Sequence, residues 1–128
     1  MRVLIVNTSD RAGGAAVAAN RLMMALNNNG VKAKMLVRDK LSDSLTVVAL
    51  PKSPLLHWNF LWERFVIYCR LVFSRRHLFE IDLANTGSDI TRLPEFLEAD
   101  VIHLHWINQG MLSLGSIRKI LRSGKPVV

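Results

Sequence analysis

The chain has 128 residues, half of them hydrophobic, which suffices for one domain with a real core over 1–128 and is too little for two. A single cysteine, Cys69, excludes an intramolecular disulfide framework and leaves no zinc-finger or CxxC spacing, which fits a reducing, cytoplasmic compartment. The formal charge of +7 contains no block of five like charges and accompanies no RNA or DNA motif, so no nucleic acid is expected as a partner.

The opening "MRVLIVNTSD" has four apolar residues in a row before Asn7. A signal peptide needs about 7–15 and a small-residue cleavage site, so the segment reads as a first strand. "RVLIVN", Arg2 to Asn7, is the continuous apolar run of a strand buried on both faces of a parallel sheet, and "TSDRAGG" breaks it with Gly13 and Gly14. In "AAVAANRLMMALNNNG", Ala18, Leu22, Ala25 and Leu26 recur at helical spacing, and Gly30 stands where a helix ends. "VKAKMLV", Val31 to Val37, alternates with period two. "LTVVAL" reads as a third short strand, closed by Pro51 and Pro54.

Residues 54–77 read as an apolar and basic helical segment. From Leu55 to Phe73, 14 of 19 residues are apolar, and the rest are His57, Asn59, Glu63, Arg64 and Arg70. On a helix, Asn59, Glu63, Arg70, Ser74 and His77 form one narrow stripe beside a wide apolar surface carrying Trp58, Trp62, Phe65 and Phe73. The charges argue against a transmembrane span, which needs about 20 predominantly apolar residues. Two alternatives stay open. The helix either covers the sheet with its polar stripe in water, or presents its aromatic face and basic residues (Lys52, Arg64, Arg70, Arg75, Arg76) to an anionic membrane surface as a peripheral contact.

"EIDLANTGSDITRLPEFLEAD" reads as a loop with one helical turn around Glu95 to Glu98. "VIHLHW" is a strand, "LSLGSIRKILRSG" a helix with Leu114, Ile117 and Leu121 on one face and Gly124 at its end, and "KPVV" opens a further strand. This alternation predicts an α/β, three-layer α/β/α domain with a mostly parallel sheet. Ligands of such sheets bind beyond the carboxyl ends of the strands. That rule marks the loop after the first strand and the residues after "VIHLHW".

At the first place, Gly13 and Gly14 precede a helix whose leading N–H groups and dipole attract an anion, which suits a phosphate or pyrophosphate. The alternative is a tight turn with close helix-to-sheet packing. The spacing is neither GxGxxG nor GxxxxGK[ST], and Asp39 and Asp43 are loop positions only, so a nicotinamide or P-loop site is disfavoured. At the second place, period-two alternation points His103 and His105 the same way. They are either hydrogen-bonded structural histidines or ligands to a sugar hydroxyl or phosphate. No third ligand stands at zinc spacing, since His57 and His77 lie in the apolar segment, so no metal is expected.

Taken in order, "MRVLIVNTSDRAGGAAVAANRL", "LFEIDL", "ADVIHLHWINQGMLSL" and "GKPVV" resemble the N-terminal half of a GT-B glycosyltransferase of the group 1, family 4 type. "HLHWIN" followed by "GMLSL" is the most specific part. The resemblance implies a Rossmann-like, acceptor-side domain of an enzyme that transfers a hexose from a nucleotide-sugar to a polysaccharide, lipopolysaccharide or lipid-linked acceptor, with retention. It implies Gly13 and Gly14 against the donor diphosphate, and His105 and His103 as the catalytic pair at the transferred sugar, with His105 favoured. Asn108 and Gln109 would bind donor or acceptor, and Trp58, Trp62, Arg70, Arg75 and Arg76 would contact acceptor or membrane. The nucleotide-sugar is a substrate, so no cofactor is expected. The resemblance also implies a C-terminal half beyond Val128, without which 1–128 binds donor weakly and is not catalytic. The edge at "KPVV" then invites self-association.

Overall fold

A strand buried on both faces must be apolar throughout, and β1 (Arg2–Ser9) has this character, with Val3 to Ser9 all buried. In the computed structural model, which describes residues 1–51, 54–71 and 83–128 apart from the side chains of Leu55, Leu56 and Asn59, β1 lies inside a sheet. Its neighbours are β2 (Lys32–Asp39) on one side and β4 (Val101–Leu104) on the other, and β3 (Val47–Ala49) lies beyond β2. The order is β3-β2-β1-β4 and every pairing is parallel. Val127 adds a parallel bridge to Ile102, which is the start of the strand expected at "KPVV".

Helix α1 (Gly13–Asn28) covers one face. Its Ala19 and Met23 pack with Val3, Ile5, Met35 and Val37. The other face carries Leu4, Val6, Leu36 and Ile102 beneath Phe96 of α3 (Pro94–Glu98) and Ile120 of α4 (Leu114–Arg122). Successive β1 residues thus enter two different cores, and the result is a three-layer α/β/α, Rossmann-like domain. Helices α1 and α4 stop just before Gly30 and Gly124, both at positive φ.

Several expectations are corrected. On α1, Leu22 and Leu26 pack against the core as expected, but its buried residues are Ala16, Ala19 and Met23, while Ala18 and Ala25 are exposed. The third strand shortens to Val47–Ala49 with Leu45 in solvent, and Asp39 ends β2 rather than lying in a loop. On α4, Leu114 and Leu121 face solvent while Ile120 is buried and Ile117 packs on the same core, because Ser113 caps the helix through the Ser116 N–H and directs that side inward. The strand expected through Trp106 ends at Leu104, although its ladder continues.

The largest correction concerns α2 (Pro54–Arg70), where the helix expected over 54–77 stops at Arg70. Lys52, Phe73, Ser74, Arg75, Arg76 and His77 lie outside the described residues. Of the two orientations left open, the aromatic face is the outward one, with Trp58, Trp62 and Phe65 exposed by 67, 58 and 56%, and Arg70 of the polar stripe is exposed as expected; the departures are Glu63 and Arg64, at 1 and 7% exposed. The Glu63 carboxylate accepts the N–H groups of Leu83 (3.0 Å) and Ala84 (2.8 Å), and the Ala84 carbonyl accepts the N–H of Leu114 at the start of α4. Burying a carboxylate requires such donors, so the Glu63 side of α2 turns inward to reach them.

The segment from Leu83 to Thr91 is stitched to the far side of the sheet. Ser88 donates its N–H to the Met111 carbonyl at 2.8 Å, and Asp89 pairs with Lys119 at 2.7 Å. The hydrogen bond from Lys119, then that from Thr91, holds the Asp89 carboxyl at about 2. Just before them, Gly87 runs so close to Leu112 and Ser113 that a Cβ would overlap their backbone. Gly87→Ala is expected to lower stability by roughly 1–3 kcal/mol through overpacking. Urea unfolding checks this as a lower midpoint at unchanged slope.

Candidate functional site

Parallel pairing of β1 with β4 brings their carboxyl ends to one rim. Past the last strand residues the ladder continues, with His105 donating its N–H to Val6 (3.0 Å) and Thr8 to Trp106 (2.7 Å). Side chains then replace backbone partners. The buried Asn7 amide oxygen accepts the Trp106 N–H at 2.9 Å while its nitrogen donates to the Ser9 carbonyl, and the Thr8 hydroxyl donates to the Trp106 carbonyl at 2.7 Å. The two chain exits are thereby held as one unit.

The register pairs Ile5 with His103, so the histidines emerge on the α1 side of the sheet. Their rings lie 4.5 Å apart at 30°, which confirms that they share a face. Both rings are half-buried, and His103 Nδ1 and His105 Nε2 are shielded from solvent with no protein hydrogen-bond partner among the described residues. Two well-satisfied structural histidines would not leave these nitrogens bare. Burial, and then the charge of His105, push the His103 imidazole below its usual value.

The glycine turn opens on the same rim. Ser9 Oγ accepts the N–H groups of Arg11 (3.3 Å) and Ala12 (3.1 Å), and Gly13 takes the left-handed φ of +85° that launches α1. The first turn of α1 has neither a side-chain cap nor an acidic residue. A Cβ on Gly13 or Gly14 would meet nothing within 4 Å, so close helix-to-sheet packing does not account for the pair. Instead, residues 12–15 and Trp106 line an open hollow of about 310 Å³. A larger hollow of about 390 Å³ lies at the opposite rim, between cationic Arg2, Lys32 and Lys34 and anionic Glu95 and Glu98. It sits at the amino ends of the strands, away from the end where parallel sheets bind ligands.

Two residues that the sequence does not single out shape the carboxyl rim. Asp10 is fully buried, and its carboxylate accepts the N–H groups of Leu41 (2.7 Å) and Ser42 (2.9 Å), joining the loop after β2 to the turn before α1. Arg38, at the end of β2, pairs with Asp39, donates to the Gln109 carbonyl and lies 5.6 Å over the Phe60 ring of α2. Asn108 and Gln109 use their carbonyls to shape the loop: Asn108 accepts the Met111 N–H at 3.4 Å, and Gln109 adopts a φ of +60°. Trp58, Trp62 and Arg70 are exposed on α2 and do not line the hollow, and Arg75 and Arg76 fall outside the described residues.

The hollow thus combines uncapped amides and an indole that is half exposed, which can hold an anion beside a ring-shaped group, while His103 and His105 lie on the same rim without lining the hollow. Among the described residues, no group of three or more His, Cys, Asp or Glu side chains is placed to hold a metal ion. Comparison with family models, curated proteins and solved structures finds no match to this chain.

Acid should weaken the rim in two stages. His103 takes up its proton less readily folded than unfolded, so its contribution is present above its usual 6.5 and is lost as pH falls below it. For Asp10, burial raises the carboxyl, but the hydrogen bonds from Ser42 and Leu41 outweigh it and leave the group below its usual 3.8. Its contribution is present above 3.8 and is lost as pH falls through its lower folded value. Urea unfolding followed against pH should show both declines, with His103→Gln flattening the first and Asp10→Asn the second.

Proposed function

We propose that the chain is the N-terminal, acceptor-side domain of a GT-B glycosyltransferase that moves a hexose from a nucleotide-sugar donor to a hydroxyl of a polysaccharide or lipid-linked acceptor. The observation that carries this reading is the uncapped, glycine-flanked start of α1, which shares a hollow with Trp106 on the rim where His103 and His105 emerge. The spacing of "HLHWINQGMLSL" supports it further.

In this reading the donor diphosphate approaches the N–H groups at Gly13 and Gly14. The helix dipole and the amides stabilise the charge that grows on the leaving diphosphate, so a divalent metal is not required. The transferred sugar lies against Trp106, with the half-buried imidazoles of His103 and His105 on the same rim to orient its hydroxyls through hydrogen bonds that strengthen as the transition state forms. The pair orients the sugar and is not assigned as general base. Enzymes of this type close a second Rossmann-like half over the donor, so 1–128 alone is expected to bind nucleotide weakly and to turn nothing over.

Gly14→Asp separates this reading from a purely structural turn. The position has room for a side chain, and a carboxylate in the first turn favours a helix by about 0.3–1 kcal/mol, so the melting temperature should hold or rise. Binding of uridine or guanosine diphosphate, followed by the amide resonances of Gly13 and Gly14 and the Trp106 indole, should weaken about tenfold or more, equivalent to ~1.4 kcal/mol. Nucleoside diphosphates that leave those resonances of the wild type unmoved at millimolar concentration would end the proposal.

A further inference from the structure

The outward face of α2 is the feature that neither the fold nor the hollow uses. Trp58, Leu61, Trp62 and Phe65 follow one another at helical spacing and are all exposed. The inward face is already occupied: Glu63 holds the Leu83 and Ala84 amides, Ile67 is buried and the Arg64 guanidinium lies 5.8 Å over Phe60. The helix therefore cannot roll its indoles onto the sheet without stripping a buried carboxylate of its donors.

Charge decides what can cover this face. Glu63 is the one acidic residue between Asp43 and Glu80 in the sequence, and it points inward, so the exposed side of α2 offers indole, phenyl and the Arg70 cation with no carboxylate. A second copy of a chain with charge +7 brings the same sign and is repelled. An anionic bilayer brings the opposite sign and takes tryptophan at the depth of its headgroups. Among the described residues no helix is long and apolar enough to cross a membrane, so the fitting geometry is a helix lying in the interface.

We infer that α2 is a membrane-docking helix that seats Trp58, Trp62 and Phe65 among the headgroups of an anionic bilayer with Arg70 against the lipid phosphates. The inference is independent of the sugar-transfer reading, because it uses none of the residues of the hollow. It has a geometric consequence. Arg38 bridges Phe60 of α2 to the loop at Gln109, so a docked α2 holds the carboxyl rim next to the bilayer.

Co-sedimentation of the whole chain with vesicles tests it. The wild type should bind vesicles of phosphatidylcholine and phosphatidylglycerol in equal parts, bind phosphatidylcholine alone far more weakly, and release as salt rises. Trp58→Ser/Trp62→Ser and Arg70→Glu should each reduce binding to the anionic vesicles about tenfold or more. The altered side chains are exposed, so circular dichroism and melting temperature should stay at wild-type values. Absence of binding at low salt, or binding that both variants retain, overturns the proposal. So does a concentration-dependent dimer, read by light scattering, that the double tryptophan variant abolishes without any effect of lipid.

Discussion

The pairing of β1 with β4 joins residues 98 apart in the chain, and the position of every other part of the carboxyl rim follows from it. Closing so long a loop has a cost in chain entropy that grows slowly with length, and a few hydrogen bonds do not offset it. What offsets it is the apolar sequence of β1, whose alternate residues enter the α1 core and the α3 and α4 core at once. Once the strands run parallel, their exits must emerge together. The amides freed there find Asn7 and Thr8, two polar residues that are buried because the ladder has run out of backbone partners.

A second constraint acts in the opposite sense to hydrophobic burial. Apolar burial has no direction, so it would accept any rotation of α2 that hides indole and phenyl surface. A buried carboxylate is directional and demands donors. Glu63 meets that demand with the Leu83 and Ala84 amides, and Ala84 in turn supports the first turn of α4. The rotation of α2 is set by this chain of contacts, and the aromatic stripe is left outward as its consequence.

The core strands were legible because their signal is local. The apolar run of β1, the alternation through Lys32 and Ala33 and the glycines after α1 and α4 report backbone geometry within a turn or a pleat. Period two likewise placed His103 and His105 on one face. Where a helix has apolar residues on several sides, the same signal is ambiguous. In α4 the spacing placed Leu114, Ile117 and Leu121 on one face, whereas the Ser113 cap together with the Phe96 core buries Ile120 with Ile117 against it. Asp10 and Arg38 carry no local mark. Their partners stand 31 and 71 residues further on, at Leu41 and Gln109.

By itself, then, the amino-acid order determined the alternation of strand and helix, the shared face of the two imidazoles and the glycine-flanked start of α1, because each depends on neighbours within a few residues. Only the tertiary structure decided that the glycine turn and Trp106 open on one hollow, that Asp10 and Arg38 brace its edge, and that α2 turns Glu63 and Arg64 in and its indoles out. Those outcomes depend on donors and acceptors brought together from distant parts of the chain, and no local periodicity encodes which of them will meet.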